Sequence, residues 1–191
     1  MKELRTLVIR LFLITAVAGL VLALANTFTA PVIAEQKAKK LAESLKDAFP
    51  TAEKIEPMDK DEMTKTIGDN EAVKDIYNVT VGGEVKGFIF RTVAKGGFDG
   101  PIEFIVGVSK EGNIEGFKVL NNTETPGFGK QCETPAFAEG VTGNKVDQDL
   151  TYAETPSTDY DIQAISGSTI TTKAIVGGLN NTIAIARELI K

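Results

Sequence analysis

From Leu11 to Ala34 the chain carries 24 consecutive residues without a charged side chain. A helix of that length, rising about 1.5 Å per residue, reaches roughly 36 Å, while a bilayer's hydrocarbon core is about 30 Å thick. Asn26, Thr27 and Thr29 dilute the outer end, so the strongly apolar part is Leu11 to Ala25. The span reads as a membrane anchor. Lys2, Arg5 and Arg10 before it, with Val32-Ile33-Ala34 at its end, also fit a cleaved signal peptide. The helical pattern that continues beyond Ala34 favours a retained anchor. Lys37, Lys39 and Lys40 nearly balance the basic residues ahead of the span, so basic-residue bias does not orient it. A short N-terminal stub ordinarily stays in the cytoplasm, which puts the C-terminal part outside.

The 191 residues suggest one domain with an appendage. Removing the three basic residues and one acidic residue of positions 1–34 from totals of 21 and 26 leaves 18 and 25, a net charge of −7. An acidic soluble part suits neither nucleic acid nor an anionic lipid surface, and tolerates a basic protein partner. The chain has no histidine and a single cysteine, Cys132. Zinc, haem and copper sites therefore lack their usual ligands, and Ser-His-Asp and Cys-His nucleophile systems are excluded. No internal disulfide can form.

Ala34 to Phe49 reads as a helical extension of the anchor, ended by Pro50. Thr51 to Glu71 is charged and reads as loop with a short helical turn. Its Asp59-Lys-Asp-Glu62 run lacks the glycine and spacing of a calcium loop and reads as a solvated run. Ile76–Val81 and Val85–Val93 around Gly82-Gly83 read as a β-hairpin. Ile102–Ser109 and Ile114–Leu120, turned at Lys110–Asn113, read as a second. Lys130 to Ala138 suggests a short helix, Val141 to Thr158 is polar and irregular, and Asp161 to Ile165 suggests a last strand. Thr169 to Ile190 reads as a helix with Val176, Leu179, Ile183, Ala186 and Ile190 on one face. Its Gly177-Gly178 pair suits close packing on the sheet. The fold class is α+β: an N-terminal transmembrane helix, then one domain with a mainly antiparallel sheet packed by helices. The boundaries fall at 1–34 for stub and anchor, 35–74 for extension and linker, and 75–191 for the domain.

Three stretches could carry chemistry. The stretch Ile165-Ser-Gly-Ser-Thr-Ile-Thr-Thr172 gathers hydroxyls at the start of the last helix. Helix starts have unpaired N–H groups and a positive dipole end, which favour an anion. Gly167 permits a tight strand-to-helix turn, and Ser166 or Ser168 can cap the helix. A phosphate site and a plain cap both satisfy this pattern. Glu124-Thr-Pro-Gly-Phe-Gly129 forms a fixed turn around one aromatic, suited to a flat polar ring or to an ordinary loop. Gly96-Gly-Phe-Asp-Gly-Pro101 repeats that pattern more weakly. No phosphate-binding P-loop or complete dinucleotide fingerprint is present.

An anchor followed by Gly-Gly-Phe-Asp-Gly-Pro-Ile at 96–102, Glu-Thr-Pro-Gly-Phe-Gly at 124–129 and Ser-Gly-Ser-Thr-Ile-Thr at 166–171 closely resembles the FMN-binding G subunit of Rnf-type electron transport complexes. The related C subunit of the sodium-pumping NADH:quinone reductase is similar. The resemblance covers nearly the whole chain, most firmly 75–190, and the chain's length favours the Rnf type. It implies an FMN-binding domain outside the cytoplasm on a single-pass anchor in the cell (inner) membrane. It also implies FMN joined through its phosphate to Thr169 as a phosphodiester, installed by a flavin transferase, with the other membrane subunits as partners. Ser166, Gly167, Ser168 and Thr171 support that attachment; Glu124, Thr125, Gly127, Phe128 and Gly129 are the candidates around the isoalloxazine. The chain itself would convert no free metabolite and hold no metal, acting as an electron relay in a ferredoxin:NAD oxidoreductase that moves sodium ions or protons. An organising subunit without flavin and a free-standing outward-facing FMN domain are the alternatives. Ser168 stands where the family usually has alanine. Gln163 stands where it usually has an acid, three places before Ser166.

Overall fold

The computed structural model describes residues 2–191. Met1, and the side chain of Lys2 counted among the basic residues above, lie outside what is described. The chain falls into two compact units, the first ending at Leu41 and the second spanning Ala42–Lys191.

The first unit belongs to helix α1, Lys2–Ala48, the one helix among the described residues long and apolar enough to cross a membrane. Its large apolar side chains from Leu4 to Ile33 are exposed, as lipid-facing side chains must be. Pro31 removes one backbone donor inside the helix. The Thr27 and Thr29 hydroxyls turn back on the Ala23 and Ala25 carbonyls at 2.9 and 3.0 Å, which lets these polar side chains sit in an apolar surround.

The second unit is built on an antiparallel sheet of β1 (Lys54–Pro57), β2 (Val73–Val81), β3 (Glu84–Ala94), β4 (Ile102–Ser109) and β5 (Ile114–Asn121), in that spatial order. Both expected hairpins are present. Gly82 and Gly83 turn the first with φ of 60° and 81°, the left-handed values that a two-residue hairpin turn requires. Strand β1 lies inside the segment expected to be loop. Only Ile55 is apolar among its Lys-Ile-Glu-Pro residues, so no alternation marks it; it pairs as an edge, where Pro57 is tolerated. Helix α2, Lys60–Ile67, follows. Asp59 is its cap, accepting from the Asp61 and Glu62 N–H groups at 2.9 and 3.3 Å.

The middle strands are buried on both faces. One face carries Ile76, Phe88, Phe90, Phe104 and Val106 under helix α4, Thr169–Leu189. There the backbone of α4 comes close: a Cβ on Gly178 would sit 2.8 Å from Ala94 Cβ and 3.0 Å from the Phe104 ring. The other face holds a smaller cluster of Val79, Ile89 and Ile105 under Ala48 and Phe49. Gly87, Gly107 and Gly116 make room for it, since a side chain on any of them would run into Phe49, Ala48 or Asp47.

Between β5 and α4 the chain is less regular. The segment expected to be one short helix splits into a 3₁₀ turn at Gly129–Glu133 and α3 at Pro135–Val141. Pro135 cannot continue the turn before it, and Thr134 caps α3 by accepting from Phe137 N–H at 3.4 Å. Strand β6 (Thr151–Ala153) appears within the stretch read as irregular, pairing parallel with β7 (Asp161–Gln163). Three residues are too few for a pattern to show. The Asp161 carboxylate closes the connection by accepting from the Thr151 hydroxyl at 2.6 Å and from the Ser157 and Thr158 N–H groups at 3.0 Å.

Candidate functional site

Strand β7 runs into the start of α4 through a tight turn. The Ser168 N–H donates to the Ile165 carbonyl at 2.9 Å, and Gly167 takes the left-handed φ of 71° that such a turn needs. Ser168 stands at the cap position, yet its hydroxyl takes no backbone N–H. The N–H groups of Thr169, Ile170 and Thr171 are therefore left without a protein acceptor among the described residues.

The hydroxyls divide by burial. Thr171 and Thr172 turn inward: Thr171 donates to Glu124 Oε2 at 2.5 Å, and Thr172 accepts from the Ile165 N–H at 3.0 Å. Ser168 is buried, whereas Ser166 and Thr169 are exposed. The Thr169 hydroxyl makes no hydrogen bond among the described residues.

Thr169 sits at the rim of a cavity of about 560 Å³ formed by the helix start, the 124–129 loop and Phe98. Phe98, Phe128 and Ile170 line it and are 66%, 56% and 53% exposed, the highest values of any large apolar side chain in the second unit. Three water-facing apolar side chains around one concavity suit the faces of a flat ring. Asp99 ties the two loops together. Its carboxylate accepts from the Thr125 hydroxyl at 2.8 Å and its carbonyl from the Thr123 hydroxyl at 2.7 Å. A second cavity of about 570 Å³, lined by Tyr152, Glu154, Gln163 and Ser166, shares Gly167 and Thr169 with the first.

Residues 97–184, which contain these loops and the helix start, match the FMN-binding domain family. Over 189 residues the chain is 32% identical to the G subunit of the Na⁺-translocating ferredoxin:NAD⁺ oxidoreductase complex of Acetobacterium woodii, covering 95% of this chain and 90% of that one. It is 30% identical to the G subunit of the ion-translocating oxidoreductase complex of Methanosarcina acetivorans, over 95% and 94% of the two chains. The chain belongs to the G-subunit family of ion-translocating oxidoreductase complexes. In fold it resembles the crystal structure of the C subunit of the Na⁺-translocating NADH-quinone reductase of Parabacteroides distasonis. The TM-score is 0.54 at 21% identity, covering 61% of this chain and 62% of that one.

Within this G-subunit chain, the cavity brings together Glu124, Thr125, Phe128, Gly129, Gly167, Ser168, Thr169 and Thr171. Gly127 and Ser166 are not part of its lining. Gly127 has φ of 80° and shapes the loop, its carbonyl accepting from Gln131 Nε2 at 2.8 Å; Ser166 faces the second cavity. Phe98 and Ile170 were missed as site residues. An aromatic flanked by glycines, as Phe128 also is, was the available signal for Phe98. For Ile170 the signal was an apolar residue at the first helical turn, outside the buried stripe of α4. Cys132, in the 3₁₀ turn after the 124–129 loop, is buried in the main core, and burial, with Glu133 and Glu124 nearby, pushes its thiol up to about 12. No cluster of candidate metal ligands occurs among the described residues.

Proposed function

We propose that the chain is a membrane-anchored electron relay that carries FMN as a phosphodiester on Thr169, within an Rnf-type ferredoxin:NAD oxidoreductase that moves sodium ions or protons. The observation that carries this reading is the unpartnered, exposed Thr169 hydroxyl on an uncapped helix start, at the rim of a cavity holding the most exposed apolar side chains of the domain. Family membership and the FMN-binding domain match support it.

The residues fit the group. The cavity lies within the roughly 300–1,000 Å³ usual for cofactor sites. The free N–H groups of the first turn and the positive helix end would hold the single negative charge of a phosphodiester on Thr169 Oγ1. Phe98, Phe128 and Ile170 would cover the apolar faces of the ring and exclude water, and Thr125 would border its polar edge. FMN supplies reversible one- and two-electron chemistry when bound; the chain contributes its position and surroundings. Covalent attachment removes the dependence on free flavin concentration, which suits a domain on the extracytoplasmic side. A flavin transferase would install the group, and the other membrane subunits would exchange electrons with it.

Of the other hydroxyls at the helix start, Ser168, Thr171 and Thr172 are buried, and the exposed Ser166 lies outside the lining of the cavity that holds Phe98 and Phe128. Thr169→Ala, co-produced with a flavin transferase, is therefore expected to abolish the flavin fluorescence that stays with the denatured wild-type polypeptide. Far-ultraviolet circular dichroism should be unchanged. Wild-type protein made with the transferase and partner subunits yet free of bound flavin would refute the proposal. The acid-free position at Gln163 favours a second reading, an organising subunit without flavin, and the same measurement separates the two.

A further inference from the structure

Glu124 is the one charged side chain fully buried among the described residues, at 1% exposure, and no salt bridge among them includes it. Burying a carboxylate without a cation is costly unless its lone pairs are hydrogen-bonded. Here both oxygens are used. Oε1 accepts from the Asp99 N–H at 3.1 Å and Oε2 from the Thr171 hydroxyl at 2.5 Å. Two glycines close around the group. A Cβ on Gly97 would lie 2.7 Å from Oε1; one on Gly129 would overlap Oε2 and lie 2.7 Å from Thr171 Oγ1. One side chain thus joins the loop that carries Phe98, the loop that carries Phe128 and the helix whose first residue is Thr169.

We propose that Glu124 is a positioning residue and not a ligand contact: it fixes the width of the slot between Phe98, Phe128 and the start of α4 before anything occupies it. The ligand named for that slot rests on the FMN reading above; the clamp itself does not. Preorganisation of this kind spares the bound group the ordering of two loops. Glu124→Met keeps the length of the side chain and loses both bonds; Glu124→Gln would keep both, because the Thr171 hydroxyl can turn to accept from an amide. Thr171→Val removes one of the two donors with little change of shape, and Thr171→Ser restores it.

The test is amide hydrogen exchange on the full-length protein in detergent, made without a flavin transferase. Glu124→Met and Thr171→Val are expected to speed exchange at residues 97–99 and 125–129 at least tenfold, leaving the amides of β3 and β4 unchanged. Thr171→Ser is expected to match wild type. When co-produced with the transferase, Glu124→Met should keep flavin fluorescence on the denatured chain, with lower flavin anisotropy in the folded protein. Unchanged exchange in both loops, or equal loosening of β3 and β4, overturns the clamp. If Glu124→Met fails to fold, the Thr171→Val and Thr171→Ser pair decides by the same criterion. A wild-type chain without flavin would sink the FMN reading and leave the exchange result to decide the clamp.

Discussion

Phe49 and Phe128 make opposite demands on the fold, and replacing each by alanine separates them. Phe49 is 3% exposed and lies over the sheet face that also holds Val79, Ile89 and Ile105. A buried phenylalanine removes roughly 150–250 Å² from water, worth about 4–6 kcal/mol at ~25 cal/mol per Å² as an upper bound. Measured Phe→Ala costs of about 3–5 kcal/mol agree. The upper part of that range is expected here, because much of the vacated space is walled by backbone. The ring packs on Gly87 and Gly107, with Ala48 beside it. Backbone held in a sheet cannot collapse into a hole as a side chain can. With a urea slope of about 2 kcal/mol per molar, a loss of ~4 kcal/mol lowers the unfolding midpoint by about 2 M. Tyrosine fluorescence is a suitable probe, since the chain has three tyrosines and no tryptophan, and Tyr77 packs against this cluster. Phe128, at 56% exposure, should shift stability by no more than about 0.5 kcal/mol on becoming alanine. A midpoint shift below about 0.5 M for Phe49→Ala, or an equally large shift for Phe128→Ala, would refute this division between core and site.

Three further outcomes are expected. Hydrogen bonds from Thr151, Ser157 and Thr158 hold the Asp161 carboxylate well below the usual range. A depressed folded value means that its contribution is complete above the unfolded pKa of about 3.9 and is lost only as pH falls through the lower folded value. The Ser157 and Thr158 amides should therefore stay protected from exchange at pH 4, and Asp161→Ala should expose them at neutral pH; loss of protection in wild type near pH 4 counts against it. Cys132, with its thiol pushed up to about 12, should react with a thiol reagent at pH 8 only after denaturation; rapid native labelling would contradict its burial. For sidedness, alkaline phosphatase fused after Lys191 should be active and a cytoplasmic reporter silent, and the reverse pattern would place the domain inside.

The parts of the fold that were legible in the sequence are those where one physical signal acts alone. The apolar run of α1, the β-branched and aromatic runs of β2 to β5 between their turns and the stripe of α4 each need only their own residues to be recognised. Strands β1 and β6 need their partners. Lys54–Pro57 becomes a strand because β2 offers an unpaired edge, and Thr151–Ala153 because Asp161 draws the chain back beside β7. The closing of the second sheet face by Ala48 and Phe49 was equally hidden. Gly87, Gly107 and Gly116 lie on three different strands, and only their register brings them under one helix end.

At the site, the order of motifs was legible but the sorting of the hydroxyls was not. Five hydroxyl residues crowd the sequence from Ser166 to Thr172, and only folding assigns Thr171 and Thr172 to internal bonds while leaving Thr169 at a cavity rim. The same reasoning bears on Gln163, which stands where the resemblance leads one to expect an acid. Asp161 is two residues away but cannot substitute, because its carboxylate already accepts from Thr151, Ser157 and Thr158. Gln163 is exposed and lines the second cavity together with Thr169, so an amide shares that cavity with the Thr169 hydroxyl. An amide cannot take a proton from Thr169 near neutral pH. If flavin is attached there, Gln163 supplies no base, and the contribution of this chain is the exposed, unbonded threonine on a helix start that already favours the phosphoryl charge.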